Sequence, residues 1–128
     1  MKESSKEIDR WAHAVIGAAI EVHRQLGAGF LESVYEEAMA IELELRDIPF
    51  AKQHSQAIEY KGRTLGVVRF DFFIADALIV ELKAVERILP IHHAQVMNYL
   101  KATGLPLALL LNFNVPILRD GIQRIVLS

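Results

Sequence analysis

The sequence predicts an α/β (α+β) protein in which helices flank a mixed central β-sheet, with elements in the order ααβββαββ. Three observations predict it. Two helical patterns separated by a glycine-rich break open the chain. Two short strand-like runs, residues 67–74 and 78–83, flank a three-residue reversal. The continuous apolar run 107–113 has the character of a central strand covered on both faces. Elements in this order bury their apolar faces most simply as a sheet with helices packed against it.

Each element has a local cause. Ser4-x-x-Glu7 resembles a capping box, in which the two side chains satisfy backbone N–H groups at a helix start, and it predicts a first helix through about residue 26. Gly27-Ala28-Gly29 stops that helix. A second is predicted over 30–46, where Leu31, Val34, Ala38, Ile41 and Leu45 recur in steps of three and four and form the expected buried stripe. Asp47-Ile48-Pro49 ends it. Ala57-Ile58-Glu59-Tyr60 is the expected first strand, turning at Lys61-Gly62 into the run 67–74. Ala75-Asp76-Ala77 then reverses the chain, with Asp76 as the turn-forming residue. Pro90, favoured in a first turn, opens a third helix that ends before Gly104. The run 107–113 follows, and Gly121 precedes a last strand over 122–127. No repeat, linker or low-complexity stretch divides the 128 residues, so one domain over 1–128 is expected.

Composition excludes several classes of function. An apolar fraction of 52% with 23% charged residues fits a compact globule rather than a disordered chain. No apolar run approaches the roughly 20 residues of a membrane span, and residues 1–7 lack the apolar core of a signal peptide. The expectation is therefore no membrane partner and a cytoplasmic location. Zero cysteines exclude disulfides, thiolate zinc sites, iron–sulfur clusters and cysteine nucleophiles. A net charge of −2 is not the basic balance of an avid nucleic-acid binder. Any site for a polyanion must be local, helped by metal, or shared with another subunit.

Three charged residues stand where a sheet should not tolerate them: Asp71, Glu81 and Lys83 lie in apolar strand-like runs. Buried charges persist mainly when paired, hydrogen-bonded or metal-bound. If the hairpin pivots near Asp76, Asp71 and Glu81 are each five residues from the pivot and face one another. Directly opposed residues have Cβ atoms roughly 4.5–5.5 Å apart, where like charges repel. Two carboxylates at that separation suit a hard divalent cation with oxygen ligands. An exposed face, or an ion-pair lattice of Glu81 with Lys83 and Asp71 with Arg69, is the alternative, and spacing leaves it open. On the second helix Glu32 and Tyr35 flank the expected stripe, with Glu32 at its border; an acidic residue in a first turn is also favoured by the helix dipole alone. On the third, Gln95 and Tyr99 fall one turn apart in an inward half shared with Ile91, Val96 and Leu100. A core-facing glutamine there must find a partner: backbone, carboxylate, water or phosphate. His92 and His93 are adjacent and point about 100° apart, and His13, His23 and His54 have no metal-ligand spacing, so the five histidines are expected to be structural or exposed.

Gly29-Phe30-Leu31-Glu32-Ser33-Val34-Tyr35 resembles the signature of the GxxExxY protein family, which is placed in the PD-(D/E)XK nuclease superfamily. The likeness runs nearly the full length, through His23-Arg24-Gln25-Leu26-Gly27, Asp71, Glu81-Leu82-Lys83-Ala84, Leu111-Asn112-Phe113 and Gly121-Ile122-Gln123-Arg124-Ile125. Gln95-x-x-x-Tyr99 resembles an accessory motif of RecB-like exonuclease domains. Phe70 stands where the superfamily name has proline. The resemblance implies a restriction-endonuclease-like core and a metal-dependent nuclease hydrolysing phosphodiester bonds in nucleic acid, with DNA the expected polymer. Asp71 and Glu81 would bind Mg²⁺ or Mn²⁺, with the Leu82 carbonyl and Glu32 as further ligands. Lys83 would orient or deprotonate the attacking water, or stabilise charge on the phosphate. Tyr35, Gln95 and Tyr99 would support the site or position substrate. The alternatives are a nucleic-acid- or protein-binding module with weak or no catalysis, and a subunit active only in a complex or homo-oligomer.

Overall fold

Two strands buried on both faces organise the molecule, and everything else is packed around them. The computed structural model describes residues 2–128, with side chains from Lys6 onward; Ser4 of the expected capping box lies outside the described side chains. The elements are helices α1 (Lys2–Leu26) and α2 (Glu32–Leu45), strands β1 (Phe50–Tyr60), β2 (Arg63–Ile74) and β3 (Leu78–Lys83), helix α3 (Pro90–Thr103), strand β4 (Leu107–Asn112), a 3-10 turn (Leu118–Gly121) and strand β5 (Ile122–Val126). Apart from that short turn, the order is the predicted ααβββαββ. No helix among the described residues is long and apolar enough to cross a membrane.

The sheet runs β1-β2-β3-β4-β5. β3 and β4 are parallel, joined through α3, and the other neighbours are antiparallel. A parallel pair needs a crossover helix, and here that helix covers one face while α1 and α2 cover the other. On the α1–α2 face Ala12, Val15, Tyr35, Met39 and Leu43 pack against Phe72, Val80, Leu82, Leu109 and Leu111. On the α3 face Val96 and Leu100 pack against Phe70, Ile79, Leu110 and Ile125. All six residues of β4 are buried, as the apolar run predicts.

Two expectations need correction. The apolar line Leu31, Val34, Ile41 and Leu45 is exposed, and Ala38 is only half-buried; the buried face of α2 is Tyr35, Met39 and Leu43. Both lines have helical spacing, so periodicity cannot rank them; the line that is buried is the one whose Tyr35 ring stacks on Phe113 in the core. The first strand begins at Phe50, seven residues before the expected Ala57. Its added segment is rich in polar residues because β1 is an edge strand with one neighbour and one covered side.

Regular pairing of β1 with β2 is interrupted twice: the register shifts between Ile58 and Glu59, leaving Leu65 unmatched, and a second break lies nearer the covered sheet. β1 and β2 match Lys52 with Phe72 and His54 with Phe70, leaving Gln53 and Asp71 out of the register between them. Gln53 has φ 54°, a left-handed conformation that costs a non-glycine residue about 1–2 kcal/mol. Residues two apart on a regular strand share a face, yet Phe70 packs in the α3-side cluster and Phe72 in the α1–α2-side cluster. The break turns β2 about Asp71.

Candidate functional site

The turn Ala75-Asp76-Ala77 sets the site's register. Ala75 and Asp76 both have positive φ, 51° and 55°, the twist that suits a tight antiparallel hairpin. Pairing proceeds from Ile74 with Leu78 to Phe72 with Val80. One step farther the same register sets Asp71 against Glu81, and there the backbone ladder gives way to side chains. The Asp71 N–H donates to Glu81 Oε2 at 2.8 Å, and the Leu82 N–H donates to Asp71 Oδ2 at 2.8 Å. Each carboxylate thus accepts from the opposite strand and keeps one oxygen over. Asp71 Oδ1 lies 3.5 Å from Gln53 Nε2.

This arrangement is electrostatically unbalanced. Glu81 is only 7% exposed. Burial and the neighbouring Asp71 carboxylate push its carboxyl up to about 9, against the weaker opposing effects of the Asp71 N–H and Lys83. Four ion pairs form among the described residues: Arg24–Glu21, Arg46–Glu42, Lys52–Glu36 and Arg124–Asp9. None includes Asp71, Glu81, Lys83 or Arg69, so the ion-pair lattice does not form. Two like-charged groups in this enclosure call for a proton or a cation.

Other side chains converge on the pair. Glu32 opens α2, half-buried; burial raises its carboxyl first, and the Asp71 charge raises it further, while Lys83 works in the opposite direction. Tyr99 is half-buried with its ring centroid 5.2 Å from that of Phe70; burial raises its phenol, followed by the charges of Glu81 and Asp71. Glu32, Asp71, Glu81, Lys83 and Tyr99 therefore share one electrostatic neighbourhood. Gln53 and Glu36, which sequence reasoning passed over, belong to it too. Gln53 Nε2 donates to both Glu36 carboxylate oxygens at 3.1 and 3.0 Å, so the strained residue ties α2 to the break in the sheet. Only the interruption of apolar character at Lys52-Gln53-His54 marks it in the sequence.

Two predicted site residues stand elsewhere. Tyr35 is fully buried; its hydroxyl donates to the Gly27 carbonyl at 2.6 Å and accepts from the Phe30 N–H at 3.2 Å, and its ring stacks on Phe113 at 4.7 Å. With both capacities used, it fastens the turn that presents Glu32 instead of facing substrate. Gly27 and Gly29 supply that turn with φ 72° and 106°, conformations that side chains resist. Gln95 is exposed, not core-facing, because α3 buries Val96 and Leu100 and rotates Gln95 outward. It lines a cleft of about 880 Å³ between α3 and β1–β2, together with Tyr99, Asn98, Lys101, Gln56 and Val68.

Asn112 is a further residue of consequence. Its Nδ2 donates to the Val85 carbonyl at 2.9 Å, and its Oδ1 accepts from the Val85 and Asn114 N–H groups at 3.1 and 3.2 Å. The Phe113 N–H donates to the Lys83 carbonyl at 2.9 Å. Lys83 is thereby held at the end of β3 by β4. The histidines behave as expected: His23 Nε2 contacts the Val115 carbonyl at 2.8 Å, His54 lies against Phe73, and His92 Nδ1 accepts from the Leu89 N–H.

Among the described residues no three His, Asp or Glu side chains stand close enough to hold a metal ion by themselves. A magnesium-type ion does not require such a cage, since it keeps waters and takes one or two carboxylates plus substrate phosphates. Glu81 Oε1, and Asp71 Oδ1 with only the long 3.5 Å contact from Gln53, suit that mode. Neither curated proteins nor solved structures yield a match to the chain. A family model, described as the PD-(D/E)XK nuclease superfamily, matches residues 9–125, spanning α2 and Glu32, the Asp71–Glu81 hairpin and the sheet as far as Ile125 in β5. The five-strand mixed sheet flanked by helices is consistent with its restriction-endonuclease-like fold. Matched from α1 to β5, with an acid pair and a lysine on adjoining strands, the chain belongs to the PD-(D/E)XK nuclease superfamily.

Proposed function

We propose that this chain is a divalent-metal-dependent nuclease that hydrolyses phosphodiester bonds, with DNA as its polymer, and that it is of the GxxExxY type. The observation that carries the proposal is the buried, opposed Asp71–Glu81 pair, with Glu81 pushed up to about 9 and no ion pair to it among the described residues. Asp71 and Glu81 would hold Mg²⁺ or Mn²⁺ with the Leu82 carbonyl, and Glu32 would adjust the shell from the start of α2 through a bound water. When bound, the metal supplies Lewis-acid polarisation of a phosphoryl oxygen and lowers the pKa of a bound water.

The remaining roles belong to the chain's own groups. Lys83, fixed at the end of β3, orients the attacking water or stabilises charge on the phosphate. Tyr99 offers its phenol beside the acids, and Gln95 offers an amide from the adjoining cleft; both position substrate. The cysteine-free chain suits a reducing cytoplasm. A second reading, a binding module without catalysis, is favoured by α2: its five glutamates and absence of lysine or arginine repel a polyanion beside the site.

Incubation with single- and double-stranded DNA and RNA, with Mg²⁺ or Mn²⁺, separates the two. The expected outcome is metal-dependent cleavage that falls by at least about 100-fold in Glu81→Gln and in Lys83→Ala, the scale of losing a preorganised electrostatic group. Cleavage unchanged in both variants would sink the assignment of this site. Salt-dependent binding without metal-dependent cleavage would select the second reading.

A further inference from the structure

The exposed apolar line of α2 is the largest departure from the expected burial. Leu31, Ile41 and Leu45 are 76%, 59% and 73% exposed. Monomeric proteins rarely leave such a contiguous stripe bare, and a polar rim around one marks an interaction surface. Here the rim is acidic: Glu37 and Glu44 are exposed beside it. A partner should therefore be apolar and basic, and of matching length.

This chain carries such a surface. Residues 59–67, the distal part of the β1–β2 hairpin, are all exposed and form an arm beyond the covered sheet. On it Tyr60, Leu65 and Val67 are 60%, 68% and 62% exposed. Lys61 and Arg63 stand exposed on it and Arg69 just beyond it, against one acidic residue, Glu59, at its base. The lengths agree as well. Leu31 to Leu45 spans roughly 20 Å of helix, and Arg63 to Arg69 roughly 20 Å of strand. We infer that the chain forms a two-fold dimer in which the arm of each copy lies on the outer face of α2 of the other.

Two-fold symmetry makes the contact occur twice, arm to helix and helix to arm. The seven exposed apolar residues of the two surfaces offer on the order of 800 Å² per protomer, about what each partner gives to a stable interface. The pairing also neutralises charge, since the acidic helix meets the basic arm and two like surfaces would not. Adding an arm against the partner's α2 sets basic residues beside an acidic helix that otherwise repels a polyanion.

The test is complementation between variants. Sedimentation of the full chain should show a dimer that dissociates at low concentration. Leu65→Asp, on the arm, and Ile41→Asp, on the helix, should each weaken it at least tenfold in Kd with unchanged circular dichroism. Mixed in equal amounts, the two variants should recover a heterodimer, because one of the two contacts is then made by unaltered surfaces. A monomer at the highest soluble concentration would overturn the inference. So would a dimer indifferent to Leu65→Asp, which would mean helix-to-helix pairing. Loss of DNA binding by Arg63→Glu without any change of oligomeric state would assign the arm to substrate and overturn it likewise.

Discussion

Glu81 and Asp71 show how far a single pair of residues can be read from sequence and where chemistry takes over. Counting five residues each way from Asp76 sets them opposite one another, and the hairpin register in the structure continues to the same pairing. The counting works because both sides are short, regular strands joined by a tight turn. It does not reveal that their carboxylates replace ladder hydrogen bonds, since that depends on the break at Gln53, a left-handed residue marked in the sequence only by the polar stretch around it. The raised carboxyl of Glu81 makes a prediction at this scale. A carboxyl held above its unfolded value stabilises the fold fully below about 4.5, and that contribution is lost as pH rises toward about 9. In chelator, thermal unfolding should therefore show stability declining from pH 5 to 9, by no more than about 1.4 kcal/mol per pH unit. Glu81→Gln, which cannot ionise, should flatten this decline; an identical slope in the variant would remove Glu81 as its source.

At the scale of elements, legibility followed how uniquely a pattern could be satisfied. β4 was legible because a fully apolar run has one place to go, between two covered faces. α2 was legible as a helix but not in its orientation, because Tyr35-Met39-Leu43 and Leu31-Val34-Ala38-Ile41-Leu45 both have helical spacing. β1 was half-legible, since its polar edge segment is held by pairing with β2 and by little of its own. The coupling of β3 to β4 makes the second prediction. Asn112→Ala should strand the Val85 and Asn114 groups that its side chain satisfies and cost about 2–3 kcal/mol in denaturant unfolding. Because the segment it holds begins just after Lys83, kcat should also fall by about 10- to 100-fold, the penalty for a displaced catalytic group. A loss of stability with kcat intact would separate Asn112 from the site.

For the whole molecule, the proposed function would link site and stability through one cation. An ion held by Asp71 and Glu81 binds the folded state alone and competes with the proton on Glu81. Mg²⁺ should therefore raise the midpoint of thermal unfolding, and raise it more at pH 8 than at pH 5. An equal rise at both values, or the same rise in Glu81→Gln, would place the ion elsewhere. The clasp formed by Asp71 and Glu81 across the end of the β2–β3 ladder has one more consequence. Both acids close the sheet by accepting backbone N–H groups, so a descendant that had abandoned cleavage would still be under pressure to keep them. Lys83 has no side-chain hydrogen bond or ion pair among the described residues that would give it such a second employment. If the chain is the proposed nuclease, the lysine rather than the acids is the residue whose loss in a descendant would date the end of catalysis.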